Sequence, residues 1–224
     1  MDIAMRYVVL MLAAPLALLF SPSSRADEVR TGPQQVIKSL FLHEYGAVQA
    51  PPAFYRFCIE NPSECLPHSA VQGFVESAQK LRQLDEINLL VNRMIVPATD
   101  IEHYGIEDYW TIPTDGKGDC EDYALMKRHI LITMGWPTSA LLMTVVRLEN
   151  GEGHAVLTAR TNYGDLILDN RSNEVLPWYQ TAYSFKMRQS SYDPKIWLDL
   201  DPTDDVLPAP IAVPNWDGSI SRAH

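Results

Sequence analysis

Between Val71 and Ile95, apolar residues return at Phe74, Ala78, Leu81, Leu84, Ile87, Val91 and Met94, steps of three and four that predict one long amphipathic helix. A second helix is predicted from Cys120 to about Met134 in GDCEDYALMKRHILITMGWP, where Gly116 and Gly118 mark a tight turn ahead of it, Gly135 stops it and Pro137 follows. Ala124, Leu125, Ile130 and Leu131 give this helix an apolar interior, with exposed surface expected only near Asp122, Lys127 and His129. After Pro137 the period changes to that of strands: ALLMTVVRL, HAVLTAR and DLILD, separated by turns at Asn150-Gly151 and Asn162 to Gly164. A further short strand is predicted within Lys195 to Leu200. The order is a helix followed by an antiparallel meander.

The two ends of the chain read differently. Residues 1–26 carry Arg6, an apolar run from Tyr7 to Phe20 and a small-residue site ending in Ser24, Arg25, Ala26, the pattern of a cleaved secretory signal peptide. The run is shorter than the roughly 20 residues that span a bilayer, and Pro15 interrupts it, so no membrane span is expected after cleavage. Residues 27–200 are expected to form a single domain. It opens on loop-like sequence, with PQQVIKSLFL as a short helix and the breaker cluster Gly46 to Pro52 ending it. Residues 201–224 form a proline-rich tail, expected to be an extended arm or disordered.

Export changes the meaning of charge and of cysteine. The net charge of −10 becomes −11 once Arg6, Arg25 and Asp2 leave with the signal, and a chain that acidic repels phosphate backbones. With no basic stripe interleaved with aromatics, nucleic acid is excluded as a partner. Outside the cytoplasm thiols are usually paired, yet the chain has three cysteines. Cys58 and Cys65 flank an Asn61-Pro62 turn, which suits a local disulfide; a zinc site from Cys58, Cys65 and His68 matches no common ligand spacing.

That leaves Cys120. Taken alone it reads as a small buried hydrophobe, or as a nucleophile whose thiolate is favoured by a helix N-terminus and opposed by Asp119 and Glu121. Two other residues weigh on the choice. If the Asn162 to Gly164 turn sets Thr161 opposite Gly164, Val156 faces Asp169, and His154 is its diagonal neighbour on the same face. The carboxylate then holds one imidazole nitrogen while the other meets a thiol delivered by the helix, giving Cys120, His154 and Asp169 as a hydrolase triad.

The runs GDCEDYALMKRHILITMGWP, GHAVLTARTNYGDLILDN and LPWYQTAYSFKMRQS, with FCIENPSEC and Trp110 in order before them, resemble the bacterial transglutaminase-like cysteine proteinases from about Phe57 to Leu200. The resemblance implies a papain-like, transglutaminase-like α+β core, with the nucleophile at the N-terminus of a central helix packed on an antiparallel sheet. It implies Cys120 as nucleophile, His154 as base and Asp169 as orienting acid. It implies calcium, held by acidic residues beside the nucleophile, and here Asp119 and Glu121 stand at those positions. Asp119 as a helix N-cap and Glu121 as a first-turn acid need no metal. It implies a periplasmic endopeptidase that cuts a large surface adhesin in the control of attachment and biofilm, restrained by an inhibitory membrane receptor. Two other functions share these residues: acyl transfer to an amine, as in a transglutaminase, and a non-enzymatic exported metal-binding module.

Overall fold

The computed structural model describes residues 39–67 and 77–201. The predicted signal peptide, most of the PQQVIKSLFL helix, His68, the start of the predicted 71–95 helix and the tail from Pro202 lie outside them. Ser39 to Leu42, the described end of PQQVIKSLFL, are not helical. They run along the sheet: Leu40 O accepts from Asp165 N at 2.9 Å, and Leu42 N donates to the Asp165 carboxylate at 2.9 Å. Gly164, at φ 109°, lies against this segment, and a Cβ there would strike the Leu40 backbone.

The predicted meander is present as β4 (Leu141–Arg147), β5 (Gly153–Thr161) and β6 (Gly164–Leu168). It continues into β7 (Leu176–Pro177), and on the far side of β4 the sheet is extended by β8 (Ser184–Gln189), β9 (Trp197–Asp199) and β1 (Gly46–Val48). The result is a seven-stranded antiparallel sheet in the order β1-β9-β8-β4-β5-β6-β7. Strands β1 and β8 were not expected. Gly46 sits in a breaker cluster and suits an edge strand, where a missing side chain costs little packing.

Helix α1 (Pro52–Glu60) opens with proline in its first turn and leads into a short 3-10 turn, Pro62–Cys65. The Cys58–Cys65 disulfide joins the two, with the Cα atoms 5.6 Å apart. Helix α2 (Ala78–Met94) is capped by Ser77, whose hydroxyl accepts from Lys80 N at 3.1 Å, and it buries Leu84, Ile87, Asn88 and Val91. Helix α4 (Cys120–Thr133) matches the expected span closely. Before it, β2 (Val96–Pro97) and β3 (Lys117–Gly118) form a short parallel pair that closes the intervening loop. That loop carries α3 (Asp100–His103), whose Thr99 and Glu102 make a reciprocal capping box.

Helix α4 packs against both β5 and α2 and is buried around most of its circumference. The expected exposure near Asp122 and Lys127 is therefore corrected: both side chains are fully buried. A helix enclosed on two sides has no polar face to offer water. Tyr123 ties α4 to the end of α2 through its hydroxyl on Ile95 O at 2.7 Å. Arg128 reaches the disulfide turn, donating to Glu64 Oε2 at 2.5 Å and to Glu64 O at 3.1 Å. Edge-to-face contacts of Phe54 with Trp110 at 5.7 Å and with Trp197 at 5.3 Å hold α1 over the sheet, each worth ~1 kcal/mol beyond area burial.

Candidate functional site

Cys120 is the first residue of α4 and the free cysteine of the chain, its two companions being bridged. Its position at a helix N-terminus favours a thiolate, but its immediate surroundings oppose one. Burial pushes the Cys120 thiol well above its ordinary range, and the Glu121 charge adds to it, while the Ala155 N–H pulls the other way. The thiol donates to Glu121 Oε2 at 3.1 Å, and Ala155 N donates to Sγ at 3.4 Å. That second bond sets the start of β5 directly against the Cys120 sulfur.

Residue 154 lies one step earlier on the same strand. The observed β5-β6 register pairs Thr161 with Gly164 and Leu157 with Leu168, the alignment expected from the turn. It brings His154 to Asp169, with Nε2 and Oδ1 2.9 Å apart and both side chains buried. Burial alone would raise the Asp169 carboxyl. Hydrogen bonds from His154, from the Arg171 N–H and from the Tyr183 hydroxyl outweigh it and hold the carboxyl below the usual range. Helix α2 fixes the backbone here: Asp169 N donates to Asn88 Oδ1 at 3.0 Å, and Asn92 Nδ2 donates to Asp169 O at 2.9 Å. Three elements, α4, β5 and the end of β6, thus bring Cys120, His154 and Asp169 together.

The acidic residues form a second group. Asp119 occupies the N-cap position of α4, yet its side chain makes no capping bond, and its Oδ1 is buried with no hydrogen-bond partner among the described residues. Asp100 Oδ1 and Asp122 Oδ2 are in the same condition. Ligand atoms of these three carboxylates lie within 4.8 Å of one another, and a second such group consists of Asp119, Cys120 and Glu121. Burial, reinforced by the Asp119 and Asp100 charges, pushes Asp122 up to about 8, and burial with Asp119 pushes Glu121 up as well. Burial also raises Asp100. Carboxylates this close need protons or a cation between them. Three unpartnered hard oxygens, with two of the side chains buried, fit an oxygen-ligated divalent cation such as calcium.

The sequence expectation places calcium at Asp119 and Glu121; the structure adds Asp100 and Asp122 to the carboxylates gathered around Asp119. Asp122 is an acid of the first turn of α4, and its buried carboxylate also accepts from Thr111 N at 2.9 Å. Asp100 carries no local signal, because it arrives through the loop closed by β2 and β3. Tyr183 was also missed, although its hydroxyl donates to Asp169 Oδ2 and its ring meets His154 edge-on with centroids 5.7 Å apart.

A family model described as bacterial transglutaminase-like cysteine proteinase, BTLCP, matches residues 44–205. Among solved structures the chain is similar to Legionella pneumophila LapG at 28% identity, covering 53% of this chain and 68% of that one with a TM-score of 0.45. The calcium-bound form of that protein matches at 23% identity over 70% of this chain and 83% of that one, TM-score 0.47. Its EGTA-treated form matches at 26% identity over 62% and 76%, TM-score 0.47. No curated protein matches the chain.

Proposed function

The chain belongs to the bacterial transglutaminase-like cysteine proteinases and is a cysteine peptidase, and from that premise we propose that Cys120 is its nucleophile, His154 its base and Asp169 the acid that orients the base. The observation that carries this reading is the 2.9 Å His154–Asp169 bond on the same strand end whose Ala155 N–H reaches Cys120 Sγ. Asp169 holds Nε2, so Nδ1 is the nitrogen left to take the thiol proton. The sulfur then attacks a peptide carbonyl, and the Cys120 N–H at the helix terminus donates to the oxyanion. The imidazolium returns its proton to the departing amine, leaving a thioester on Cys120. His154 next activates the water that hydrolyses it.

Asp100, Asp119 and Asp122 would hold a calcium ion, with Glu121 next to them facing the thiol. When bound there, the ion supplies positive charge that offsets the carboxylates beside Cys120. The support is the set of buried, unpartnered oxygens at these residues.

The substrate class we propose is a large cell-surface adhesin, cut in the control of attachment, with the enzyme acting in the periplasm and a membrane receptor able to sequester it. Family membership and the exported character of residues 1–26 support this. Among the described residues no helix is long and apolar enough to cross a membrane.

The test compares surface proteins of cells carrying the intact protein, Cys120→Ala and His154→Ala. Both variants should leave a large surface protein uncut that the intact enzyme releases, and Asp169→Asn should retain part of the activity. Near-normal cleavage by His154→Ala sinks the triad. Purified enzyme should lose cleavage in chelator and recover it with added calcium; full activity in chelator sinks the calcium reading alone. Incorporation of an amine in place of cleavage would reassign the acyl acceptor.

A further inference from the structure

We propose that Tyr183 is a positioning residue of the active site, its hydroxyl fixing Asp169 so that one carboxylate oxygen is committed to His154. The proposal rests on the triad reading above and extends it to a fourth side chain.

Asp169 has two oxygens and the structure gives each a task. Oδ1 faces His154 Nε2 at 2.9 Å and accepts from Arg171 N at 3.0 Å. Oδ2 accepts from the Tyr183 hydroxyl. With both oxygens engaged, the carboxylate cannot rotate about its own axis without breaking a bond. The Tyr183 ring meets the His154 ring at 64°, so one side chain touches both members of the pair. Backbone bonds from α2 fix the Asp169 main chain but leave its carboxylate free to turn. His154 and Arg171 N hold Oδ1, and Tyr183, just ahead of β8, holds Oδ2.

Its place in the fold gives it a second task. A cavity of about 170 Å³ opens beside the pair, lined by Ile167, Asp169, Leu176, Ala182 and Tyr183 among others. Asp169 and Tyr183 both line it. Removing the ring would widen the cavity beside the carboxylate and admit water to Oδ2.

The charges facing Asp169 are few. Lys127 acts on it from α4, Arg171 stands beside Tyr183 in the loop after β6, His154 comes from β5, and α2 contributes the neutral Asn88. The Tyr183 hydroxyl is one of the donors that hold the Asp169 carboxyl below its usual range, which keeps the carboxylate ionised opposite His154.

The test is imidazole NMR of the full chain in calcium, with the His154 signals identified by their loss in His154→Ala. In Tyr183→Phe the ring stays and the shared donor goes. Released at Oδ2, the carboxylate should turn from its alignment with His154, so the resonance of the bridging proton should move and the His154 titration curve should change. Tyr183→Ala should instead broaden that proton through exchange with water. Unchanged His154 signals and midpoint in Tyr183→Phe overturn the proposal and leave Tyr183 a packing residue. Should Tyr183→Ala fail to fold, the phenylalanine variant decides the matter alone. Failure of the triad itself reads differently: Asp169→Asn would then leave the His154 midpoint where it is in the intact protein.

Discussion

Asp122 lies where a side chain on Gly118 would have to be: a Cβ built at Gly118 would come within 2.6 Å of the Asp122 Cβ. The glycine therefore does more than turn the chain into α4. It leaves room for a buried carboxylate that accepts from Thr111 N and stands with Asp100 and Asp119. Gly118→Ala should force Asp122 aside, and overpacking of this kind costs ~1–3 kcal/mol. The expected result is a lower denaturation midpoint together with a smaller upward shift on adding calcium. A variant with unchanged midpoint and unchanged calcium response would mean that Asp122 moves away without consequence.

Lys127 is fully buried, its Nζ has no hydrogen-bond partner among the described residues, and it lies 6.0 Å from the Tyr123 ring centroid. Burial pulls the ammonium down to about 7 against the Asp169 charge, which holds it up. Lys127→Met keeps the length and removes the charge, so it should stabilise the fold by ~1–3 kcal/mol at acidic pH. The sign with pH follows from linkage. The folded-state value lies below the ordinary 10.5, so the cost of the lysine is complete below about 7 and fades as pH rises toward 10.5. The stability gap between the variant and the intact protein should be wide at about pH 6 and narrow at about pH 10, read from denaturant midpoints. A variant less stable than the intact protein at the lower pH would contradict this account.

These two residues also mark where sequence pattern stops being informative. The β5-β6 register was legible, since a two-residue turn with Thr161 opposite Gly164 sets every later pairing, and the His154–Asp169 contact follows from it. The start of α4 was legible too, from glycines ahead of it and Gly135 behind. Burial of Asp122 and Lys127 was not, because a polar residue on a helix suggests solvent unless one knows that α2 and β5 close on both sides. Asp100 reaches Asp119 only through the pairing of Val96 with Lys117 and Pro97 with Gly118, a two-residue ladder too short to leave a period. Strand β8 was passed over although Phe185 and Met187 alternate with polar neighbours in SFKMRQ, because Arg188 and Gln189 are polar yet buried and the β4-β8 register shifts between Val145 and Val146.

The Cys58–Cys65 bridge closes a loop of sequence separation 7 and holds the Pro62–Cys65 turn whose Glu64 binds Arg128 and His129 of α4. Closing so short a loop contributes ~2 kcal/mol through the unfolded chain. Reduction should lower the unfolding free energy by that amount, read as a fall in the denaturation midpoint. Iodoacetamide applied without reductant should label Cys120 only, as read by peptide mass spectrometry. Equal label on Cys58 and Cys65 would show that the bridge is absent from the isolated protein.

Asp100 offers the sharpest separation between a cation site and a cluster of acids held together by protons. Its Oδ2 accepts from Tyr109 N, which an asparagine oxygen can also do, while its Oδ1 faces the group of Asp119 and Asp122 without a partner. Burial, with the Asp119 charge behind it, raises the Asp100 carboxyl, so in chelator this carboxylate works against the fold. Asp100→Asn removes one charge and places an amide donor toward its neighbours. In chelator the variant should therefore be more stable than the intact protein, by ~1 kcal/mol. In calcium the order should reverse, because the variant lacks one of three anionic ligands and gains less from the ion. Glu121→Gln is the companion measurement: it changes the acceptor of the Cys120 thiol and leaves Asp100, Asp119 and Asp122 intact, so most of the calcium-induced rise in midpoint should survive. A protein whose midpoint ignores calcium, with Asp100→Asn equally displaced in chelator and in calcium, would leave these carboxylates paired by protons alone.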